Sequence, residues 1–187
     1  MSAQPVQYHW TSEAFLKAHE AGAFEGRVEL VEGEVWPVVI GGWHGKAVMR
    51  LARLLPVTGV EVSSATLPSG TSLPDPDCWV VRRGATPIGL IGTRVEAWAS
   101  ADVLLVVEVS DDTLLADLTT KARIYGAAGW PVYWVVSPDA VYVHTEPHAQ
   151  GYRLRREFGA GERLPVPFAD TEIAVGDLIG VLPESGQ

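Results

Sequence analysis

The chemistry most readily read from this chain rests on Asp77, Glu108, Asp117 and Lys121. Glu108 interrupts the apolar run "LLVVEVSDD" at 104–112. An ionised carboxylate in an apolar interior is costly unless it is paired, hydrogen-bonded or bound to metal. Either Glu108 ends a strand and reaches water or a counter-ion, or it belongs to a site. Asp77 opens the apolar stretch "DCWVV" after the rigid "LPDP". If these segments pair, the two carboxylates converge, and such a pair, completed by water and a substrate phosphate, is a usual holder of Mg²⁺. Taken alone, Asp75 and Asp77 also suit a turn. Lys121 follows Asp117 by one helical turn, which puts both on one face. Alone, they would be a surface pair of about 0.3 to 0.5 kcal/mol.

The elements that must position these residues follow from patterning. Thr11 and Ser12 suit the cap of a helix running to about Ala21, with Glu13 in its first turn. "GRVELVEGEVWPVV" alternates about Glu32-Gly33 as a hairpin does. Apolar residues from His44 to Leu55 recur at helical spacing until Pro56. Val60 to Leu67 reads as a strand, "SGTSLPDP" as a loop, "DCWVV" as a strand, and Arg82 to Ala101 as a long irregular connection. "DVLLVVEV" has the continuous apolar character of a central strand buried on both faces. A helix from about Thr113 to Ala128 follows, stopped by Gly129 and Pro131. Two strands, "VYWVVS" and "AVYVHT", come next, joined by a Ser-Pro-Asp turn. "GYRLRREF" adds a strand and "DLIGVLP" a short terminal helix. Strand, helix and strand from Asp102 to Val136 form a βαβ candidate within a mixed α/β domain.

The order of Asp, long connection, Glu in an apolar strand, then Lys on the next helix carries further information. The run "LLVVEVSDDTLLADLTTKARIYGAAGWPVYWVV", with "LPDPDCWVV" and "RVELVEGEV" upstream, resembles the Uma-two family of restriction-endonuclease-like proteins, within the PD-(D/E)xK nuclease superfamily. The resemblance implies a restriction-endonuclease-like central mixed β-sheet flanked by helices, in one domain over 1–187. That domain divides into an N-terminal helix and hairpin at 11–40, a nuclease-like core at about 44–145, and C-terminal strands with a short helix at 151–183. By the same resemblance Asp77 and Glu108 bind Mg²⁺ or Mn²⁺, Lys121 is the catalytic lysine, Glu29 is a further acid and Asp117 orients the lysine. Ser110 stands where an ExK motif ends in lysine. On a strand it shares a face with Glu108 and can touch the site without supplying charge.

The implied activity is metal-assisted hydrolysis of DNA, by a homodimer if both strands of a duplex are cut. The contrasting reading is a non-catalytic interaction or DNA-binding module that keeps the nuclease fold. Net charge is -9, unfavourable for non-specific phosphate binding unless cations cluster locally. Arg82, Arg83, Arg153, Arg155 and Arg156 are the best such clusters, although solvated surface is the commoner meaning of arginine pairs. Cys78 is the single cysteine, which excludes an intramolecular disulfide and a cysteine zinc site. In an apolar strand it reads as a small buried hydrophobe. His44 suits packing or capping better than metal ligation. His144 and His148 flank Pro147 in what reads as a turn, so no helical metal site is available to them. No apolar segment approaches the roughly 20 residues of a membrane-spanning helix, and the N-terminus lacks a leader pattern, so a cytoplasmic protein without membrane contact is expected.

Overall fold

The computed structural model describes residues 8–181. Residues 1–7 and 182–187 of the expected domain, including the end of the expected terminal helix at 182–183, lie outside the described residues. A six-stranded mixed sheet forms the centre, made of β3 (Val60–Ser63), β4 (Cys78–Arg82), β7 (Val103–Val109), β8 (Val132–Val136), β9 (Ala140–His148) and β10 (Gly151–Gly159). Its spatial order is β10-β9-β8-β7-β4-β3. Only β7 and β8 run parallel. The chain between them crosses the sheet as α3 (Leu114–Ala116), a π-helical turn (Asp117–Lys121) and α4 (Ala122–Ala127). This is the expected βαβ unit.

β7 is buried because both faces of the sheet are covered. Leu105, Val107 and Val109 face a core completed by Leu51 of α2 (Gly42–Leu54), by Leu55 just after it, and by Leu178 of α5 (Val175–Ile179). Val106 faces the other core, with Tyr125, Trp130 and Tyr133. Because side chains alternate along a strand, Glu108 shares the face of Val106 and is turned toward the crossing helix. The β4/β7 register pairs Cys78 with Val107, and one further step sets Asp77 opposite Glu108. Directly opposed residues point to the same face.

The N-terminal part stands over that face. α1 (Ser12–Glu20) is capped by Thr11, whose hydroxyl accepts a bond from the Ala14 amide at 3.1 Å. β1 (Val28–Val31) and β2 (Glu34–Pro37) form the expected hairpin, with Glu32 and Gly33 both at positive φ in the turn. A backbone bridge between Leu30 and Leu73 fastens β1 to the segment that leads to Asp77.

Several boundaries differ from the sequence reading. β3 stops at Ser63 and does not reach Leu67, because the following backbone serves the interior. The Trp79 indole donates to the Ala65 carbonyl, and the Thr66 hydroxyl to Asp75. The connection from Arg82 to Ala101 holds a hairpin, β5 (Gly89–Ile91) with β6 (Val95–Ala97), too short and Gly-broken to show alternation. A second unanticipated pair is β11 (Arg163–Pro165) with β12 (Glu172–Ala174). His144 and His148 lie on β9 rather than in a turn. Pro147 is tolerated there opposite Tyr152, and the buried His144 ring packs between Tyr133 and Tyr152.

Candidate active site

The carboxyl end of β7, where the chain leaves the sheet for the crossing helix, is a place where open α/β sheets commonly bind ligands. A cavity of about 210 Å³ opens there, with Glu29, Asp75, Asp77, Glu108, Asp117 and Lys121 all in its wall. The expected residues come from four elements: Glu29 from β1, Asp77 from the approach to β4, Glu108 from β7, and Asp117 with Lys121 from the π-helical turn.

Lys121 is the hub. Its Nζ lies 2.9 Å from Glu29 Oε1, 2.9 Å from Glu108 Oε1 and 4.0 Å from Asp117 Oδ1. The lysine is only 7% exposed, so the surface ion-pair reading of Asp117 and Lys121 does not hold. Burial alone would favour the neutral amine, but Glu108, Glu29 and Asp117 outweigh it and hold the ammonium above its ordinary pKa. The π turn widens the helix where both residues emerge, a feature frequent at functional sites.

Glu108 experiences the opposite balance. Its burial pushes the carboxyl well above the usual range; Lys121 pulls it down, and Asp117, Asp77 and Glu29 push it up again. The Tyr125 hydroxyl donates to Glu108 Oε1 at 2.6 Å. Asp117 is also raised by burial, against the lowering effects of Lys121, Thr113 and Ser110. Ser110, fully buried, has its hydroxyl 3.3 Å from that of Thr113, which in turn donates to Asp117 Oδ2 at 2.6 Å. Ser110 therefore faces the Asp117 side of the network and supplies no cation.

Asp77 is fixed on two sides. Its Oδ2 accepts the Val109 amide at 2.8 Å, tying the start of β4 to the end of β7. The His44 ring, in the first turn of α2, places Nε2 2.9 Å from Asp77 Oδ1. His44 Nδ1 is buried with no hydrogen-bond partner. His44 is thus a partner of Asp77 rather than a helix cap. Asp75 links to the same assembly, since its amide donates to Glu29 Oε2 at 3.1 Å. Among the described residues, no three His, Cys, Asp or Glu side chains form a group able to hold a metal by themselves.

Tyr125, Thr113 and Asp75 are the members that sequence reasoning left out. Tyr125 carries a readable signal, being four residues after Lys121 on the same helical face. The arginine clusters stand elsewhere. Arg82 and Arg83 lie at the end of β4 remote from Asp77, where they donate to the carbonyls of Ala101, Val57 and Val60. Arg153, Arg155 and Arg156 are exposed on the edge strand β10, the last two packed over Tyr142 and Phe158. Cys78 is buried and its thiol is pushed up to about 12 by burial and by Asp77, as suits a buried hydrophobe.

A family model described as "Putative restriction endonuclease", Uma2, matches residues 13–176. The chain belongs to the Uma2 family. Among solved structures, a chain from Anabaena variabilis described as a "putative nuclease belonging to DUF820" is similar with a TM-score of 0.63 at 17% identity, covering 92% of this chain and 98% of that one. At that identity the likeness establishes the shared fold. No curated protein matches the chain. Among the described residues no helix is long and apolar enough to cross a membrane.

Proposed function

We propose that this Uma2-family protein is a metal-dependent endonuclease that hydrolyses DNA phosphodiester bonds. One observation carries the reading: two strand-end carboxylates, Asp77 and Glu108, share a cavity wall with a buried ammonium, Lys121. The description of the family as "Putative restriction endonuclease" and of the Anabaena protein as a "putative nuclease" points the same way.

The donor set suits Mg²⁺ or Mn²⁺, which are content with one or two carboxylates and complete their shell with water and substrate oxygens. Asp77 and Glu108 would hold the ion, with water and substrate oxygens to finish its shell. When bound, such an ion lowers the pKa of a coordinated water and offsets charge gathering on the phosphate. The chain's own residues do the rest. Lys121 presents a positive charge in a water-poor cavity, where it stabilises the developing phosphorane charge more strongly than it would in water. Glu29 and Asp117 keep Lys121 charged and aimed. Tyr125 fixes one oxygen of Glu108, and His44 with the Val109 amide fixes Asp77. No covalent nucleophile is needed.

Cutting both strands of a duplex would require two copies, so a homodimer is part of the proposal. Arg153 and Arg155 offer exposed cations for the phosphate backbone. The contrasting reading, a non-catalytic DNA-binding or interaction module, draws on the net charge of -9 and on the Lys121 network, which satisfies Glu108 without any ion. Purified protein incubated with plasmid and with single-stranded DNA, with and without Mg²⁺ or Mn²⁺, tests the proposal. Metal-dependent cleavage supports the hydrolase. No cleavage together with no metal binding in calorimetry supports the module.

A further inference from the structure

A second cavity, of about 380 Å³, adjoins the candidate active site. Asp75 lies in the wall of both cavities. The strand β1 divides them, with Glu29 turned to the first and its neighbour Val28 to the second. None of the proposed hydrolytic roles uses this second space.

Its lining is unusual for a gap between structural elements. Trp98 and Trp79 meet there edge to face, ring centroids 5.5 Å apart. The Trp79 ring is buried and pinned by its bond to the Ala65 carbonyl. Trp98 is only partly buried, yet its indole N–H is enclosed and has no hydrogen-bond partner. A buried donor without an acceptor is costly and calls for an explanation. Exposed Arg94 and Glu96 complete the rim with one charge of each sign. The size falls within the roughly 300 to 1,000 Å³ of small-ligand pockets, which combine apolar and aromatic walls with a few polar groups.

We propose that this cavity receives a nucleobase of the cleaved strand, one or two nucleotides from the scissile phosphate, stacked on Trp98. The inference rests on the hydrolytic reading of the first cavity. Asp75 is two residues from Asp77, which sets their Cα atoms at most about 7 Å apart. A phosphate held at Asp77 and Glu108 therefore carries a neighbouring base to the rim at Asp75. The Trp98 ring, in the wall of the cavity, supplies a stacking face. A base can enter only if it is unpaired or turned out of the duplex, so the favoured substrate is a single strand, an end or a distorted duplex.

The test is an abasic scan. The full-length protein is titrated, with Ca²⁺ replacing Mg²⁺ to prevent turnover, against short single-stranded oligonucleotides that each lack one base. One position is expected to weaken binding by roughly five- to a hundredfold, the range for loss of one stacked base. Trp98→Ala should abolish that position dependence, while Trp98→Phe, which keeps a ring, should retain most of it. A fluorescent base analogue at that position should be quenched in the unaltered protein, a readout that holds even if Trp98→Ala fails to fold. A flat scan with no position-specific quenching overturns the pocket even where Mg²⁺-dependent cleavage is present. A Trp98-dependent step without any metal-dependent cleavage supports the pocket and removes the hydrolytic reading. Failure to bind any oligonucleotide overturns the pocket.

Discussion

Replacing Lys121 with methionine removes a charge while keeping a chain of similar length. In the folded protein its ammonium makes two contacts of 2.9 Å, to Glu29 and Glu108, among side chains no more than 9% exposed. At an effective dielectric of about 20, each contact is worth about 6 kcal/mol of Coulomb attraction, most of it offset by the desolvation of the charges. The cost of Lys121→Met is therefore set by what remains behind, namely buried carboxylates with no counter-ion. Such losses run to about 3 to 5 kcal/mol. The sign of the pH dependence follows. Without the ammonium, the buried Glu108 holds its proton more tightly in the folded than in the unfolded state, so the deficit is small in acid and grows as pH rises. Urea denaturation of both proteins at pH 5 and pH 8 measures this. A deficit of about 1 kcal/mol or less at both values, the range of an exposed pair, would refute the buried hub.

Further expectations follow from the same geometry. Folding places the Glu108 carboxyl at about 8 against an ordinary value of 4.5, through burial first and the neighbouring acids next, so the native state binds more protons across that interval. Metal-free stability should accordingly fall between those pH values, and urea titrations of Glu108→Gln should show a flatter profile. Tyr125→Phe removes the 2.6 Å hydrogen bond to Glu108 and should cost about 0.5 to 1.5 kcal/mol at pH 6, where that carboxyl is protonated, and about 1.5 to 3 kcal/mol at pH 9, where it is charged, in urea unfolding. Gly126→Ala should destabilise the fold strongly, because its added Cβ would lie 2.0 Å from the Gly151 carbonyl oxygen where α4 meets β10. Relief of that clash requires backbone movement, and soluble yield with circular dichroism checks the loss.

The central strand, the βαβ unit and the first hairpin were legible because their signals are local. Seven successive residues of β7 are apolar apart from Glu108, and Glu32-Gly33 marks the first turn. The β5–β6 and β11–β12 pairs were not legible, since three-residue strands offer too few positions for alternation. Glu108 and Lys121 stood out in sequence as a charge in an apolar run and a lysine on the next helix. What sequence could not give was the depth of Lys121, because a buried lysine and a surface lysine at i, i+4 from Asp117 look alike. The π turn that presents both residues to the cavity leaves no composition signal. His44 reaches Asp77 across 33 residues of chain, a contact that no local spacing encodes. The arginine clusters illustrate the reverse case: adjacent basic residues at 82 and 83 serve backbone carbonyls of Ala101, Val57 and Val60 at the far end of the sheet.

Cleavage of supercoiled plasmid and single-stranded DNA under Mg²⁺ and Mn²⁺, comparing the unaltered protein with Glu108→Ala and Asp77→Asn, tests the proposed site most directly. Nicking or degradation that needs the metal and falls at least a hundredfold in both variants, with the fold verified by circular dichroism, is the expected result. Metal-dependent cleavage that survives Glu108→Ala would contradict the assignment of Asp77 and Glu108 as the residues that hold the ion.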